Sequence, residues 1–562
     1  MRLSTDDDRD EERAFETIAA AAAAGMTVFD TARSYGRGED ELGHNERLLA
    51  RALRAAGADA TARIVTKGGM LRVGGAWIPD GRTRTIRADC EASLDALDGL
   101  PIDLYLLHGP DPRTPWPTSI RALARLLDEG LVRRVGVANV NRRLLDEALE
   151  LARIATVQVA VSPFDLGAVR GGVVERCAEL GIALIAHSPL GGPRRRGSVD
   201  REQALVDVAA AQGASPSEVA LAWLLELSPV VVAIPGARRP ETARSAARAA
   251  TLRLDPDQRA VLDRAFAVPR RERAVHARAD TDVVVVMGVP GAGKTTFAAR
   301  YLSRGYTRLN RDERGGSLGD LATALDEALA EGVTQVVLDN TYLTRASRSF
   351  VVEIAGRHGA TARCAWLDTP LAQAQVNLVE RLLERFGALP PPEQLPELAK
   401  REQGVLAPTS QMRAFRELEP PSNDEGFAAV EHVPFLREPS HRSQPAVFVA
   451  AAAMASDGWE DVLEHADPAA PHLAFDWNGD GSGAAIAEAA RRLAAVVAGP
   501  VEAALCPHGG GPPKCWCRPP LPGLFLEFAR RHEVDPSRAT VVGVSPAHRT
   551  VATTLGAAYV GL

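Results

Sequence analysis

Along residues 26–266 short aliphatic and β-branched runs recur at intervals filled by segments of mixed polarity. The runs are MTVFDTA from Met26, RIVTKG from Arg63, DLYLLHG from Asp103, RRVGVAN from Arg133, TVQVAVSP from Thr156, ALIAHSPL from Ala183 and VVVAIPGA from Val230. Such runs predict buried strands, and the amphipathic spacers predict helices. Seven strands separated by helices describe a parallel (β/α)8 barrel lacking one member. The missing strand should precede a helix expected over residues 11–24, and the opening MRLST has the character of its tail. An N-terminal truncation of the barrel is therefore expected.

Past a charged stretch at 270–280 the pattern starts again. Apolar strands are expected at 282–287, 334–341 and 362–368, with a short one ending near Leu309. A third set opens with AVFVAAAAM from Ala446 and closes with a strand-helix-strand rhythm over 540–562. The expected domains are 1–268, 281–438 and 446–562, all α/β, as suits 562 residues, too many for one core. A composition 46% hydrophobic and 24% charged is that of a soluble globular chain. The net charge of -7 argues against tight, sequence-independent binding to long duplexes. The acidic start has no signal-peptide core, and no run of apolar residues is long enough to span a membrane, so a cytoplasmic location without membrane partners is expected.

GVPGAGKT fills residues 288–295, between a strand and a helix-forming segment. Gly288, Gly291 and Gly293 permit turns that aim successive N–H groups at phosphate oxygens. Lys294 reaches the outer phosphates and Thr295 offers a hydroxyl to Mg2+, with Thr296 beside it at the start of a helix whose dipole favours anions. ATP is the implied ligand. The region resembles the kinase domain of polynucleotide kinase-phosphatases, through this cradle, NRD at 310–312, VVLDNTYLTRASR at 336–348, LAQAQVNLVERLLER at 371–385 and the segment 407–435. The resemblance implies a three-layer P-loop kinase sheet in which Asp312 accepts the proton of an attacking hydroxyl and Asp339 serves the metal or its water shell. Arg381 and Arg385, four apart on a helix, would close over the phosphates as a lid, and Arg311 and Arg348 are candidates for holding phosphate.

In the first region, Asp30, Tyr35, Lys67 and His108 fall at or just after strand C-termini, the face where barrel active sites are built. Here the chain resembles the aldo-keto reductase family, through FDTARSYG (29–36), TKGG (66–69), LLHG (106–109), GVAN (136–139), HSPLGG (187–192) and IPGARRPE (234–241). The resemblance implies that Tyr35 protonates a carbonyl oxygen during hydride transfer, Lys67 lowers the tyrosine pKa, Asp30 keeps Lys67 charged and His108 orients the carbonyl. It places Asn139 and Gln158 at the nicotinamide amide and Ser188, Leu190, Gly236 and Arg238 around the rest of the cofactor. Arg238 suits a 2′-phosphate, so NADPH is expected over NADH. Two positions depart from the family: Ala138 stands where Ser is usual, and His187 where Tyr stacks on the nicotinamide.

Three cysteines, Cys90, Cys177 and Cys364, are scattered in apolar contexts. The other three, Cys506, Cys515 and Cys517, cluster with His508 in CPHGGGPPKCWCRPPLPG, residues 506–523. Three thiolates and an imidazole make a structural Zn2+ shell. The segment resembles the zinc loop of the histidinol-phosphate and heptose-bisphosphate branch of the haloacid dehalogenase superfamily, which implies a small Rossmann-like phosphatase fold. Alanines stand where that family carries its catalytic aspartates, Pro519 follows Arg518 where Lys is usual, Val544 replaces a metal-binding Asp, and FDWNGDG at 475–481 is either a substitute for the first catalytic motif or, as its short distance from the zinc loop favours, a plain turn. A zinc-stapled inactive phosphatase is expected. The whole chain is then expected to join an aldo-keto reductase to a 5′-hydroxyl polynucleotide kinase, with a carbonyl compound and nucleic-acid ends as substrates. The competing expectations are a small-molecule kinase and a non-catalytic NADPH and ATP sensor.

Overall fold

The computed structural model describes residues 3–195, 197–269, 280–437, 440–465, 467–477 and 483–562. Outside them lie Met1 and Arg2, the charged stretch except Asp280, Glu438 at the expected end of the middle region, and residues 478–481 of the FDWNGDG segment. The chain forms two compact units, Met1–Arg271 and Glu272–Leu562. No described helix is long and apolar enough to cross a membrane.

The first unit is built on a parallel sheet of β1 (Val28–Asp30), β2 (Arg63–Gly68), β5 (Ile102–Leu107), β6 (Val135–Ala138), β7 (Ile154–Ala160), β8 (Ala183–His187) and β9 (Val231–Ile234), paired in that order. A two-stranded hairpin, β3 (Met70–Val73) and β4 (Ala76–Pro79), follows β2. The seven expected barrel strands all form, and among the described residues β1 and β9 do not pair with each other. The ladder begins at β1. Leu3, Ser4 and Thr5 form a turn rather than the tail of a strand, held because Asn45 Nδ2 donates to Ser4 Oγ at 2.8 Å. Helix Glu11–Ala23 follows, its N-terminus capped by Asp10, whose side chain accepts from Arg13 N. Aliphatic residues of the strands and surrounding helices close one core, from Phe29 and Ile64 through Leu107 and Val137 to Trp223.

The second unit holds two parallel sheets. One is ordered β11 (Thr307–Leu309), β12 (Gln335–Asp339), β10 (Asp282–Met287), β13 (Thr361–Asp368), β14 (Ala429–Pro434). Val283 to Met287 are fully buried, as expected of a central strand covered on both faces. The other is ordered β17 (Val501–Cys506), β16 (His472–Trp477), β15 (Val447–Ala450), β18 (Thr540–Gly543), β19 (Ala558–Gly561). Helix Leu371–Phe386 joins them: Val376, Val379, Leu382 and Leu383 share a core with Phe448 and Phe475 of the C-terminal sheet and with Trp516 and Phe525 from the loop and helix packed on it. The middle and C-terminal regions, read separately from sequence, thus share apolar packing.

Candidate active sites

The strand ends of the first unit converge on a cavity of about 1010 Å³ lined by Asp30, Tyr35, His108, Asn139, Gln158, Ser188, Leu190 and Gly236, together with Trp77 and Arg72. Lys67, projecting from β2, is 1% exposed and Asp30, ending β1, is 6% exposed. Lys67 Nζ donates to Asp30 Oδ1 at 2.6 Å, to the Thr31 carbonyl at 2.7 Å and to Tyr35 OH at 3.3 Å. Burial alone would lower the Lys67 pKa; Asp30 and then Tyr35 outweigh it, and the net shift is upward, so the amine stays charged. For Tyr35 burial is the largest influence and raises the pKa, with Lys67 opposing it. Lys67 therefore acts in the expected direction, and desolvation of the phenolate outweighs it in this structure. His108 falls well below the usual histidine range, first through burial and then through the charge on Lys67, and is neutral at physiological pH. Its Nδ1 meets Ser34 Oγ at 3.3 Å.

The residues expected at the nicotinamide are more committed to one another than the sequence implied. Gln158, 3% exposed, donates its amide to Asp30 Oδ2 at 2.7 Å, so it holds the carboxylate that holds Lys67. Asn139 sits at φ 57 directly after β6, donating to the His108 carbonyl at 2.9 Å while its Oδ1 lies 3.0 Å from His187 Nε2. His187, standing where the family usually has Tyr, makes a polar contact here. Arg238 pairs with Asp6 at 3.1 Å and Asp8 at 2.7 Å of the acidic N-terminal segment.

The phosphate cradle follows β10. Gly291 has φ +88, and a Cβ there would lie 2.3 Å from the Ala374 carbonyl, so the turn requires glycine. Lys294, opening helix Lys294–Leu302, donates to the Gly288 and Val289 carbonyls at 3.0 Å each. Its pKa is lowered to about 8, by burial first and then by Arg381; Asp339 and Asp312 oppose the shift. Thr295 and Thr296 are exposed at the helix start. Asp312 is exposed in helix Arg311–Arg314, with Asn310 capping that helix by accepting from Asp312 N at 2.6 Å.

Two expectations change here, and Asp339 has partners the sequence did not show. Asp339, expected to serve the metal, is buried and engaged by Arg308 (Nε 3.0 Å, Nη2 2.6 Å) and by Asn310 Nδ2 at 2.7 Å. Arg385, expected beside Arg381 over the phosphates, turns to Glu402 and the Gln403 carbonyl, an acidic partner the helix periodicity did not reveal. Arg348, a candidate for phosphate, is fully buried and bound to Glu425 at 2.6 Å and to the Tyr342 and Glu419 carbonyls at 3.0 Å, which makes it a structural arginine. Side chains unremarked in the sequence brace the cradle: Asn377 donates to the Gly291 carbonyl at 2.9 Å, Gln411 to Pro290 at 2.9 Å and Thr369 to Ala292 at 3.1 Å. Their common signal is a polar residue on a largely apolar helix face or strand end.

Cys506, His508, Cys515 and Cys517 come together with all ligand atoms within 4.8 Å of one another. Sulfur to sulfur distances from Cys506 are 3.6 Å to Cys515 and 3.4 Å to Cys517, and His508 Nδ1 lies 3.4 Å and 3.3 Å from Cys506 and Cys517. These are close to the edges, roughly 3.8 Å, of a tetrahedron around zinc with thiolate ligands. The donor set fits that metal.

The aldo/keto reductase family model matches residues 1–266, and an AAA domain model matches residues 283–401. The aldo-keto reductase str7 of Strobilurus tenacellus is 29% identical over 278 residues, covering 44% of this chain and 79% of its own. An uncharacterized oxidoreductase of Schizosaccharomyces pombe is 31% identical over 261 residues, 46% of this chain and 80% of its own. Among solved structures, a thermostable aldo-keto reductase in complex with the inhibitor epalrestat is 32% identical and covers 47% of this chain and 90% of its own, with a TM-score of 0.40.

Proposed function

Because the chain belongs, through residues 1–266, to the aldo/keto reductase family, we propose that its first unit is an NADPH-dependent carbonyl reductase. The observation that carries this is the hydrogen-bonded row Asp30, Lys67, Tyr35 opening on the same cavity as His108. Tyr35 gives its proton to the carbonyl oxygen as the alkoxide develops, and the phenolate left behind lies beside a lysine that Asp30 keeps charged. The neutral His108 orients that oxygen. A reduced nicotinamide, held by Asn139, Ser188, Leu190 and Gly236 with Arg238 toward a 2′-phosphate, would supply the hydride. NADPH consumption with a panel of aldehydes tests the reading: Tyr35→Phe should abolish turnover while cofactor binding persists, and undiminished turnover would refute it.

The second unit we read as an ATP-dependent kinase of 5′-hydroxyl polynucleotide ends, in a cytoplasmic protein of nucleic-acid end repair. The support is the P-loop itself, with the charges of Arg381, a cation, and Asp312, a proton acceptor for the transfer, both felt by Lys294. Asp312 takes the hydroxyl proton, Arg381 and Lys294 neutralise the transferring group, and Thr295 would hold Mg2+. Radiolabelled ATP with 5′-hydroxyl oligonucleotides, against sugars and nucleosides, is the test. Transfer to small molecules alone would make this a metabolite kinase.

The C-terminal region we read as a phosphatase-like fold of the haloacid dehalogenase type without its catalytic carboxylates, stapled by zinc on Cys506, His508, Cys515 and Cys517. Alanines at 451–453, after β15, support the loss of phosphatase chemistry. Metal analysis of the purified protein should find one zinc per chain, lost in Cys506→Ser with Cys515→Ser.

A further inference from the structure

The hairpin β3–β4 turns through Gly74 and Gly75, both at positive φ (+53 and +80), and sets Arg72 directly across from Trp77. The Arg72 guanidinium carbon lies 4.1 Å from the centroid of the Trp77 ring, and that ring lies 5.8 Å from His108 and 6.0 Å from Tyr35. Arg72 is only 8% exposed. Its Nη2 donates to the Arg37 carbonyl at 3.1 Å, but Nε and Nη1 have no hydrogen-bond partner, and among the described residues no carboxylate pairs with it. Every other buried cation at this site is compensated: Lys67 has Asp30. A guanidinium does not shed its proton when buried, so one left without an anion is costly unless a ligand completes it. Desolvation alone displaces its pKa, downward, with no acidic neighbour opposing the shift.

Resting on the reductase reading, we propose that Arg72 anchors an anionic group of the carbonyl substrate, so that the barrel selects aldehydes or ketones carrying a carboxylate or phosphate. Tyr35, His108, Trp77 and Arg72 line one cavity, which offers such a substrate a reacting end at Tyr35 and His108 and an anionic end at Arg72. Nε and Nη1 are buried, so pairing them with the anion requires the Arg72 head to shift from Trp77, itself 43% exposed, toward the cavity. No bond is made or broken at Arg72. It is a specificity residue, and the proton and hydride steps are unchanged by it.

Calorimetric titration of the full chain, saturated with NADP+, reads the anchor independently of turnover. The probes are two pairs, 4-oxobutanoate against butanal and glyceraldehyde 3-phosphate against glyceraldehyde, which separate a carboxylate from a phosphate. At least one anionic member should bind roughly ten- to hundredfold more tightly than its neutral partner, as charge-assisted hydrogen bonds provide. Arg72→Met should remove that preference while leaving the neutral member's affinity unchanged, and Arg72→Lys should keep part of it. Should Arg72→Met fold poorly by circular dichroism, Arg72→Gln, which can still donate to the Arg37 carbonyl, replaces it. Equal affinities within both pairs, or an Arg72→Met loss shared equally by neutral and anionic members, overturns the proposal. Steady-state kinetics with the same pairs then isolates the premise: Arg72-dependent binding with no NADPH consumed by any aldehyde sinks the reductase reading and leaves the anchor standing.

Discussion

Replacing Lys67 by Met leaves the Asp30 carboxylate, 6% exposed, with one amide donor from Gln158 and no cation. The methionine fills the aliphatic space, so the loss is electrostatic. Two unit charges at about 4 Å interact by about 4 kcal/mol at an effective dielectric constant of about 20, and removal of one partner from a buried pair costs about 3–5 kcal/mol. Lys67→Met should therefore destabilise the first unit by about 3–5 kcal/mol. Asp30→Asn with Lys67→Met removes both charges and should recover most of that loss. Because the chain has two compact units, a single melting curve mixes them. Hydrogen exchange of peptides spanning β1 and β2, followed by mass spectrometry in denaturant, reads the first unit alone. The sign with pH follows from the upward shift of Lys67. Its contribution is complete below the ordinary lysine range and is lost only as pH rises through the higher folded value, so the cost should be flat across neutral pH. A cost below about 1 kcal/mol, the scale of a solvent-exposed pair, or a double variant no more stable than the single one, would refute the claim that Lys67 and Asp30 are a buried, mutually dependent pair.

Under the proposed role of Arg238, its pairs with Asp6 and Asp8 would compete with a 2′-phosphate, and each partly exposed ion pair is worth about 0.2–1 kcal/mol. Asp6→Asn with Asp8→Asn should tighten NADPH severalfold in a fluorescence titration and leave NADH unchanged. Lys294, with its pKa lowered to about 8, is protonated below that pH. ATP affinity should be level up to about pH 8 and weaken above it, and Lys294→Arg, always charged, should abolish the alkaline fall. Removing the proposed zinc with a zinc-selective chelator, with Mg2+ kept in excess, should raise the KM for ATP in the kinase assay while leaving NADPH consumption by the barrel untouched. An equal effect on both activities would point to general unfolding.

The strands of the first unit were legible because each is a nearly continuous apolar run, buried in a parallel sheet whatever its neighbours. The cradle was legible because its glycines, lysine and threonine must stand at fixed offsets. Partners distant in sequence were not. Gln158 looks like a cofactor ligand at the end of β7, yet its acceptor is Asp30, 128 positions earlier. Helical spacing put Arg381 and Arg385 on one face, but Glu402 lies beyond the helix and captures the second arginine. Arg348 resembled a phosphate ligand because a sequence does not display Glu425 or the carbonyls that surround it. The hairpin bearing Arg72 and Trp77 did carry a local signal, Gly74-Gly75 between two short apolar runs, which is the composition of a two-residue turn.

The C-terminal region is tied to the phosphate cradle through helix Leu371–Phe386. Ala374, Asn377 and Arg381, three and four apart, form one stripe that touches or acts on the cradle, while Val376, Val379 and Leu383 form another that enters the C-terminal core. Trp516, between two cysteines of the metal cluster and 2% exposed, donates to the Leu406 carbonyl at 3.0 Å, just before helix Pro408–Glu417, whose Gln411 donates to Pro290 in the cradle. Two routes thus run from the C-terminal core to the turn that grips phosphate. Without that core the apolar stripe of the helix would face water at about 25 cal/mol per Å² of exposed surface, and Asn377 would lose its fixed position. Trp516→Phe, which keeps the ring packing but deletes the donor, should cost about 0.5–1.5 kcal/mol and raise the KM for ATP more than it lowers kcat. A change confined to kcat would show that the C-terminal core leaves the cradle's grip on nucleotide unaltered.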